Sequence, residues 1–301
     1  MSMQLMRSAL GVALAALLLA TPAMARDDRT VDERIAADAD GEVVVSNVSG
    51  SVRVEGWAGK EVEITGSLGA GVERLDVVRD GKRVVVKVVL PRTSSHRSSA
   101  DLRVRVPVAS RLEVTTVSAD SSVRGVTGAL RLSSVSGEIE ARGVASDSEI
   151  KTVSGDIRVT AASTPIKLRA TSVSGTIVVD DLSGEVETLT VSGEMLLDLD
   201  ALTNVRARST SGDSRISGQL ARDARAEFES VSGDMSLKFG AAAGFAVDAE
   251  SFSGELSNCF GVKAEAVSKY APGERLSLTR GEGSAQVRIK TMSGSVRICD
   301  R

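Results

Sequence analysis

Few residues in this 301-residue chain combine a reactive type with a meaningful spacing. Its two cysteines, Cys259 and Cys299, each lie five residues after a glycine, Gly254 and Gly294, and so share one phase of whatever unit those glycines mark. An even cysteine count in an exported chain points to a disulfide, with a pair of buried free thiols as the alternative. If the 40 residues from Gly254 to Gly294 form two stacked coils, the Cα atoms stand roughly 9.6 Å apart, too far to bridge. If they form one coil with an excursion, the separation is about 4.8 Å and a Cys259–Cys299 bridge fits. The Ala271-Pro272-Gly273 stretch suits such an excursion.

The remaining reactive candidates read as structural. His96 is the single histidine and lies in the polar run Thr93–Ser99, so histidine-based triads and zinc clusters needing two or more histidines are excluded by count. The Ser-Gly serines recur along the chain, whereas a nucleophile is singular. The residues after the glycines, including Glu138, Asp156, Glu194, Asp213, Asp234 and Glu255, would form a carboxylate column if the units stack. Arg158 and Arg215, two residues beyond Asp156 and Asp213, can balance that column without a cation. The Gly-Gly-x-Gly-x-Asp spacing of calcium-binding solenoids is missing. The sequence therefore predicts no catalytic residue, no metal and no cofactor.

The elements that hold these residues are set by a repeat. Glycines of a Ser-Gly motif fall at 50, 137, 155, 175, 193, 212, 233, 254 and 294, with Ala119 in Val117-Ser118-Ala119 as a degenerate copy. From Ala119 the intervals are 18, 18, 20, 18, 19, 21, 21 and 40. A period of this size means one supersecondary unit per repeat, stacked because a lone unit cannot bury its apolar face. Around each glycine the residues alternate apolar and polar, as in Gly155-Asp156-Ile157-Arg158-Val159, the signature of a half-buried strand. A second short strand precedes each, in opposite parity. The reading is all-β: a parallel β-solenoid (β-helix) of about 18–21 residues per coil. At its corner two successive residues, such as Thr152 and Val153, are expected to point inward, with Ser154 outside. On that reading Val153→Asp costs several kcal/mol.

The first 25 residues are a different object. Arg7, the apolar run Ala9–Ala20, Pro22 and Ala23-Met24-Ala25 read as a signal peptide (1–25) cleaved after Ala25. An apolar run of about 12 residues is too short to span a bilayer. Residues 26–108 hold looser strand-like runs, with Asp80-Gly81 as a hairpin signal, and form an N-terminal β region capping the solenoid, which occupies 109–301. The mature chain carries no transmembrane segment and belongs outside the cytoplasm, periplasmic or secreted to the cell surface.

Composition narrows the partners. With 37 basic and 40 acidic residues interspersed, net charge −3, no field attracts nucleic acid. Aromatics are 2%, with one Trp (Trp57) and one Tyr (Tyr270), so stacking platforms for sugars or bases are nearly missing.

The coils of Val-Ser-Gly-Asp/Glu-Ile/Val, the opening Gly41–Gly50, the Asp101–Pro107 segment and the closing Asn258-Cys259-Phe260-Gly261 through Ser293–Cys299 resemble the bacterial putative-adhesin family of unknown function, a β-strand-repeat domain. The resemblance implies a parallel β-solenoid in the cell envelope, with relatives associated with envelope-stress responses, and brings no active-site motif. Two function classes stand: a non-enzymatic envelope protein contacting an unidentified protein or surface polymer, and a carbohydrate-active β-helix enzyme of lyase or hydrolase type.

Overall fold

In Ile157-Arg158-Val159-Thr160-Ala161 the apolar residues are buried and Arg158 faces solvent, the pleat imposed by a strand with one dry face. That pattern repeats through the computed structural model, which describes residues 28–91, 98–162, 165–242, 244–268 and 272–300. The signal segment 1–25, His96 and Tyr270 lie outside the described residues.

The fold is all-β, without a helix among the described residues. Its strands begin with β1 (Arg29–Ala36), β2 (Glu42–Trp57), β3 (Glu61–Leu68), β4 (Arg74–Asp80), β5 (Arg83–Val89) and β6 (Ala100–Pro107). There follow β7 (Arg111–Arg124), β8 (Leu130–Ser134), β9 (Ile139–Val144), β10 (Ser148–Thr152), β11 (Ile157–Ala161) and β12 (Ile166–Ser172). Next come β13 (Ile177–Thr190), β14 (Met195–Ser211), β15 (Ser214–Ser232) and β16 (Met235–Gly240). The chain ends with β17 (Gly244–Ser251), β18 (Leu256–Asn258), β19 (Glu265–Ala266), β20 (Glu274–Gly281), β21 (Ala285–Thr291) and β22 (Val296–Cys299).

Strands one repeat apart pair in parallel. On one face Leu132 pairs with Ile150, Ile150 with Ala170 and Ala170 with Thr188; on the other Ile139 pairs with Ile157, Ile157 with Ile177 and Ile177 with Met195. Each coil crosses one face, turns at its Ser-Gly corner and returns along the other, giving a β-solenoid-like stack. The two faces enclose a single ladder core in which Ile139, Ile150, Ile157, Leu168 and Ile177 are fully buried. Each such side chain contributes about 1.5–3 kcal/mol of burial.

The stack does not follow chain order at either end. The first half of β2 lies between β5 and β7, and its second half between β6 and β7, so residues 42–57 form a regular rung. The expected division at 108 therefore falls inside the stack, and the cover is only β1, β3 and β4, which pair antiparallel there. At the other end β21 and β22 insert between the β15/β16 rung and the β17/β18 rung. The last rung thus precedes the penultimate one in sequence, and β20 closes the stack by pairing antiparallel with β17. Antiparallel covers hide edges that would otherwise template aggregation.

Candidate interaction seam at the Ser-Gly corner

The corner is built from four residues with four roles. The hydroxyl residue three before the glycine is buried: Ser134, Thr152, Ser172, Thr190, Ser209, Ser230, Thr291 and Ser251. In one arrangement its side-chain oxygen accepts the glycine N–H, as Ser134 does from Gly137 (2.9 Å), Thr152 from Gly155 (3.0 Å) and Ser172 from Gly175 (2.8 Å). In the other the glycine takes a positive φ, 113° at both Gly233 and Gly294. There the hydroxyls of Ser230 and Thr291 instead donate to the carbonyls of Ser232 and Ser293. The two forms differ by turning over the Ser–Gly peptide, so the buried hydroxyl satisfies either end of it, except at Gly212, where Ser209 Oγ makes neither bond.

The glycine faces inward against the rung below. A Cβ on Gly155 would stand 2.1 Å from the Gly137 carbonyl oxygen, and one on Gly175 1.9 Å from that of Gly155. Backbone proximity, not a left-handed conformation, demands glycine at these two positions.

The residue two before the glycine points out, which corrects the expectation for Val153. Thr152 is inward, Val153 and Ser154 are both outward, and Gly155 is inward again. The chain wraps around the outside of the core at this corner, so the break in alternation gives two consecutive outward residues instead of two inward ones. Val153 is 45% exposed, and Val117, Val135, Val173, Val191, Val231, Met292 and Phe252 are 40–60% exposed. Their backbones are stacked by hydrogen bonds such as Ser136 N–H to Val117 O (2.7 Å), Ser154 N–H to Val135 O (2.8 Å) and Ser253 N–H to Met292 O (2.9 Å). With Thr210 in the Gly212 rung, they form a continuous apolar seam in the order Val117, Val135, Val153, Val173, Val191, Thr210, Val231, Met292, Phe252. Scattered exposed apolar residues need no explanation, but a contiguous line of them marks a contact surface.

The seam has unlike flanks. On the glycine side runs the column Asp120, Glu138, Asp156, Thr176, Glu194, Asp213, Asp234, Ser295, Glu255, which contains no cation. Its aspartates serve the stack: Asp120, Asp156, Asp213 and Asp234 accept the N–H of Glu138, Thr176, Asp234 and Ser295 in the next rung. Arg158 pairs with Glu138, and Arg215 with Glu194 at 3.8 Å, so each arginine reaches back one rung from the acid two residues before it. No group of three or more metal-ligating side chains occurs among the described residues. On the other flank runs Thr115, Ser133, Lys151, Thr171, Leu189, Arg208, Glu229, Lys290, Glu250. Near the C-terminal end the seam widens into a shallow groove, where Leu189, Val231, Phe252 and Met292 line the floor beside Arg208 and Lys290.

Beyond that flank the sheet face carries a second register, strictly alternating in charge: Glu113, Arg131, Glu149, Arg169, Glu187, Arg206, Glu227, Arg288, Asp248. Arg169–Glu187 at 2.7 Å and Arg206–Glu227 at 2.8 Å are typical of its exposed pairs. These ions neutralise one another, whereas the seam's apolar side chains face solvent.

Cys259 and Cys299 are joined at a Cα separation of 4.9 Å. They sit on adjacent rungs because β18 pairs in parallel with β22, Leu256 opposite Val296, while β19 and β20 come between them in the chain. The rung order is the reverse of the chain order, since Gly294 lies against Gly233 and Gly254 against Gly294.

An all-β, solenoid-like protein with an exposed apolar corner is the class these features define. The chain belongs to the Toastrack DUF4097 family, whose model matches residues 21–190 and 176–299. Among solved structures it is similar to one from Parabacteroides distasonis described as a putative lipid binding protein, at 13% identity and a TM-score of 0.52, over 91% of this chain and 98% of that one. It is also similar to a putative adhesin from Bacteroides fragilis, at 12% identity and a TM-score of 0.40, over 90% and 97%. The first of these shares the fold. No curated protein matches the chain.

Proposed function

We propose that this is a non-enzymatic protein of the cell envelope, exported and then periplasmic or displayed at the surface, that works as a binding scaffold in adhesion or in an envelope-stress response. Its coils of 18–21 residues make a stiff rod, and the seam from Val117 to Phe252 is where the rod meets a protein or surface polymer. The observation that carries this reading is the seam itself: eight apolar side chains held 40–60% exposed on successive corners, interrupted only by Thr210. The leader pattern ending at Ala25, the Cys259–Cys299 bridge and the adhesin names of similar structures support an extracytoplasmic location. Their proteins' names carry no ligand across at such low identity.

The test is photo-crosslinking in cells. A photoreactive residue at Val153 or Val191 should give adducts, while one at Glu149, on the charge-balanced face, should not. Equal labelling from both faces, or none from the seam, overturns the reading. Recovery of the protein in the cytoplasmic fraction with Met1 retained overturns its location.

A further inference from the structure

We propose that the last two rungs are a bistable element: the same residues can stack in chain order, with β17/β18 against β15/β16 and β21/β22 outside them, and the charges of Asp248, Glu250, Arg288 and Lys290 hold them in the inserted order instead.

Most of what holds these rungs is common to both orders. Gly254 follows Gly233 by 21 residues, the same interval that separates Gly233 from Gly212, so the chain reaches a direct neighbour of β15/β16 without a detour. Either order puts glycine at both corners, where the facing rung leaves no space for a Cβ. Either order also stacks buried aliphatic residues, Val247, Ala249 and Leu256 on one rung and Val287, Ile289 and Val296 on the other. Because β18 and β22 are neighbours both ways, the Cys259–Cys299 bridge selects neither. The Asn258 side chain is occupied by its own turn, accepting from Phe260 N–H at 2.9 Å and donating to Val262 O at 2.6 Å.

The strand ladder survives as well. In the inserted order β17 lies between β20 and β21, with Val247 opposite both Leu278 and Val287, and Ala249 opposite both Leu276 and Ile289. With β17 moved onto β15, β20 folds directly against β21, Leu278 facing Val287 and Leu276 facing Ile289. That antiparallel hairpin is closed by residues 281–284, whose Gly281 and Gly283 already hold left-handed φ values of 60° and 68°. Each strand keeps the same number of neighbours.

Charge is what differs. In the inserted order one outward register reads Glu227, Arg288, Asp248 and another reads Glu229, Lys290, Glu250, Arg275, so the signs alternate. Arg275 completes the pattern by pairing with Asp248 at 3.1 Å and with Glu250 at 3.6 Å. The Glu227 carboxyl is held below its ordinary value chiefly by Arg206, and Arg288 adds to that effect. Chain order would set Glu227 beside Asp248, Glu229 beside Glu250 and Lys290 beside Arg275. Like charges directly opposite on neighbouring strands destabilise the pairing. These three contacts arise in chain order and none of them in the inserted order. The order also decides the end of the seam, since Met292 stands between Val231 and Phe252 only when its rung is inserted.

The exposed corner serines report the order, with the Cys259–Cys299 bridge left in place. In the inserted order Ser232 and Ser293 lie on neighbouring rungs about 4.8 Å apart, whereas Ser232 and Ser253 stand two rungs and about 9.6 Å apart, beyond the reach of a disulfide. Under mild oxidation during refolding, Ser232→Cys with Ser293→Cys should bridge and Ser232→Cys with Ser253→Cys should not. Adding Asp248→Arg, Glu250→Lys, Arg288→Asp and Lys290→Glu to each pair reverses the pattern, because chain order then alternates in sign and the inserted order does not. The 232–253 bridge should dominate in that background, a shift of about tenfold or more in relative yield. Bridging at 232–293 as in the parent overturns the proposal, and so does a 232–253 bridge in the parent charge background. Where the fourfold exchange leaves no folded stack, Asp248→Asn, Glu250→Gln, Arg288→Gln and Lys290→Gln together remove the bias with little change of shape. Both bridges should then form in comparable amounts, and the 232–293 bridge alone in that neutral background overturns the proposal too.

Discussion

The carbonyl oxygen of Gly155 lies 1.9 Å from where a Cβ on Gly175 would stand, and the same approach repeats along the corner. No side chain can share that space, so substitution must push two rungs apart and strain the ladder on both faces. Gly175→Ala should cost about 3 kcal/mol or more, among the larger effects of single substitutions. Gly143, with φ of 70° and nothing within 4 Å of the place its Cβ would take, is the control. Gly143→Ala carries only the left-handed penalty, about 1–2 kcal/mol. Urea midpoints of the two variants decide the matter: equal losses would mean the rungs part easily.

Val153 and Val159 lie six residues apart on opposite sides of the corner's logic. Val159 is fully buried and Val153 is 45% exposed. Val159→Asp leaves a carboxylate in the core without a partner and should cost several kcal/mol. Val153→Asp should cost less than about 1 kcal/mol. Thermal unfolding of both proteins checks this, and a comparable collapse in Val153→Asp would return its side chain to the core.

That pair also shows what the sequence makes legible. Gly155, Ile157 and Val159 alternate strictly, and their inward direction follows from period two. The period breaks at the corner, where alternation no longer says which way the next residue points, so the outward seam reads as core in the sequence alone. The available signal is the hydroxyl: Ser134, Thr152, Ser172 and Thr190 stand where a buried group must satisfy the turning backbone, and the following Val-Ser pair is what remains outside. Stack order is hidden for another reason. The 40-residue gap before Gly294 admits two coils or one coil with an excursion, and nothing local distinguishes a strand added beyond Gly254 from one inserted inside it, because either neighbour offers the same parallel ladder. The same ambiguity hides β2 as a regular rung.

Acid should weaken the stack through its exposed ion pairs. Burial pushes Glu140 up, but hydrogen bonds from Arg142, Arg124 and Ser122 outweigh it and hold the carboxyl below its ordinary value. Lys151 does the same for Glu149, and Arg206 for Glu227, each against a smaller effect of burial. A carboxyl whose folded pKa is depressed contributes stability that is present above its unfolded pKa and lost as pH falls through the folded one. Asp180 has the opposite sign: burial, then the charges of Asp181 and Asp198, raise it. Its contribution is present at low pH and lost as pH rises through the raised value. Urea midpoints should therefore fall below about pH 4.5, less steeply in Glu140→Gln. Asp180→Asn should raise the midpoint at pH values above the raised Asp180 pKa, where the parent must carry the buried charge. A Glu140→Gln profile that superimposes on the parent would remove the Glu140–Arg124–Arg142 cluster from the explanation.

The last prediction concerns the bridge between Cys259 and Cys299. The loop it closes spans 40 residues, for which loop entropy gives about 4 kcal/mol, less any strain. Were β22 the outermost strand, reduction would release it first. Instead β22 has neighbours on both sides, β16 and β18, while β18 pairs with β22 alone among the described residues. Leu256 N–H beyond that edge is held only by the Glu274 carboxylate at 2.9 Å. Strand pairing on both sides protects amides more than pairing on one. After reduction, hydrogen exchange should accelerate first in β18 and residues 259–268, then in β22, and leave β9 to β16 unchanged. Thiol titration of denatured, unreduced protein should find no free thiol. Two titratable thiols would remove the bridge, and β22 exchanging ahead of β18 would contradict its insertion between them.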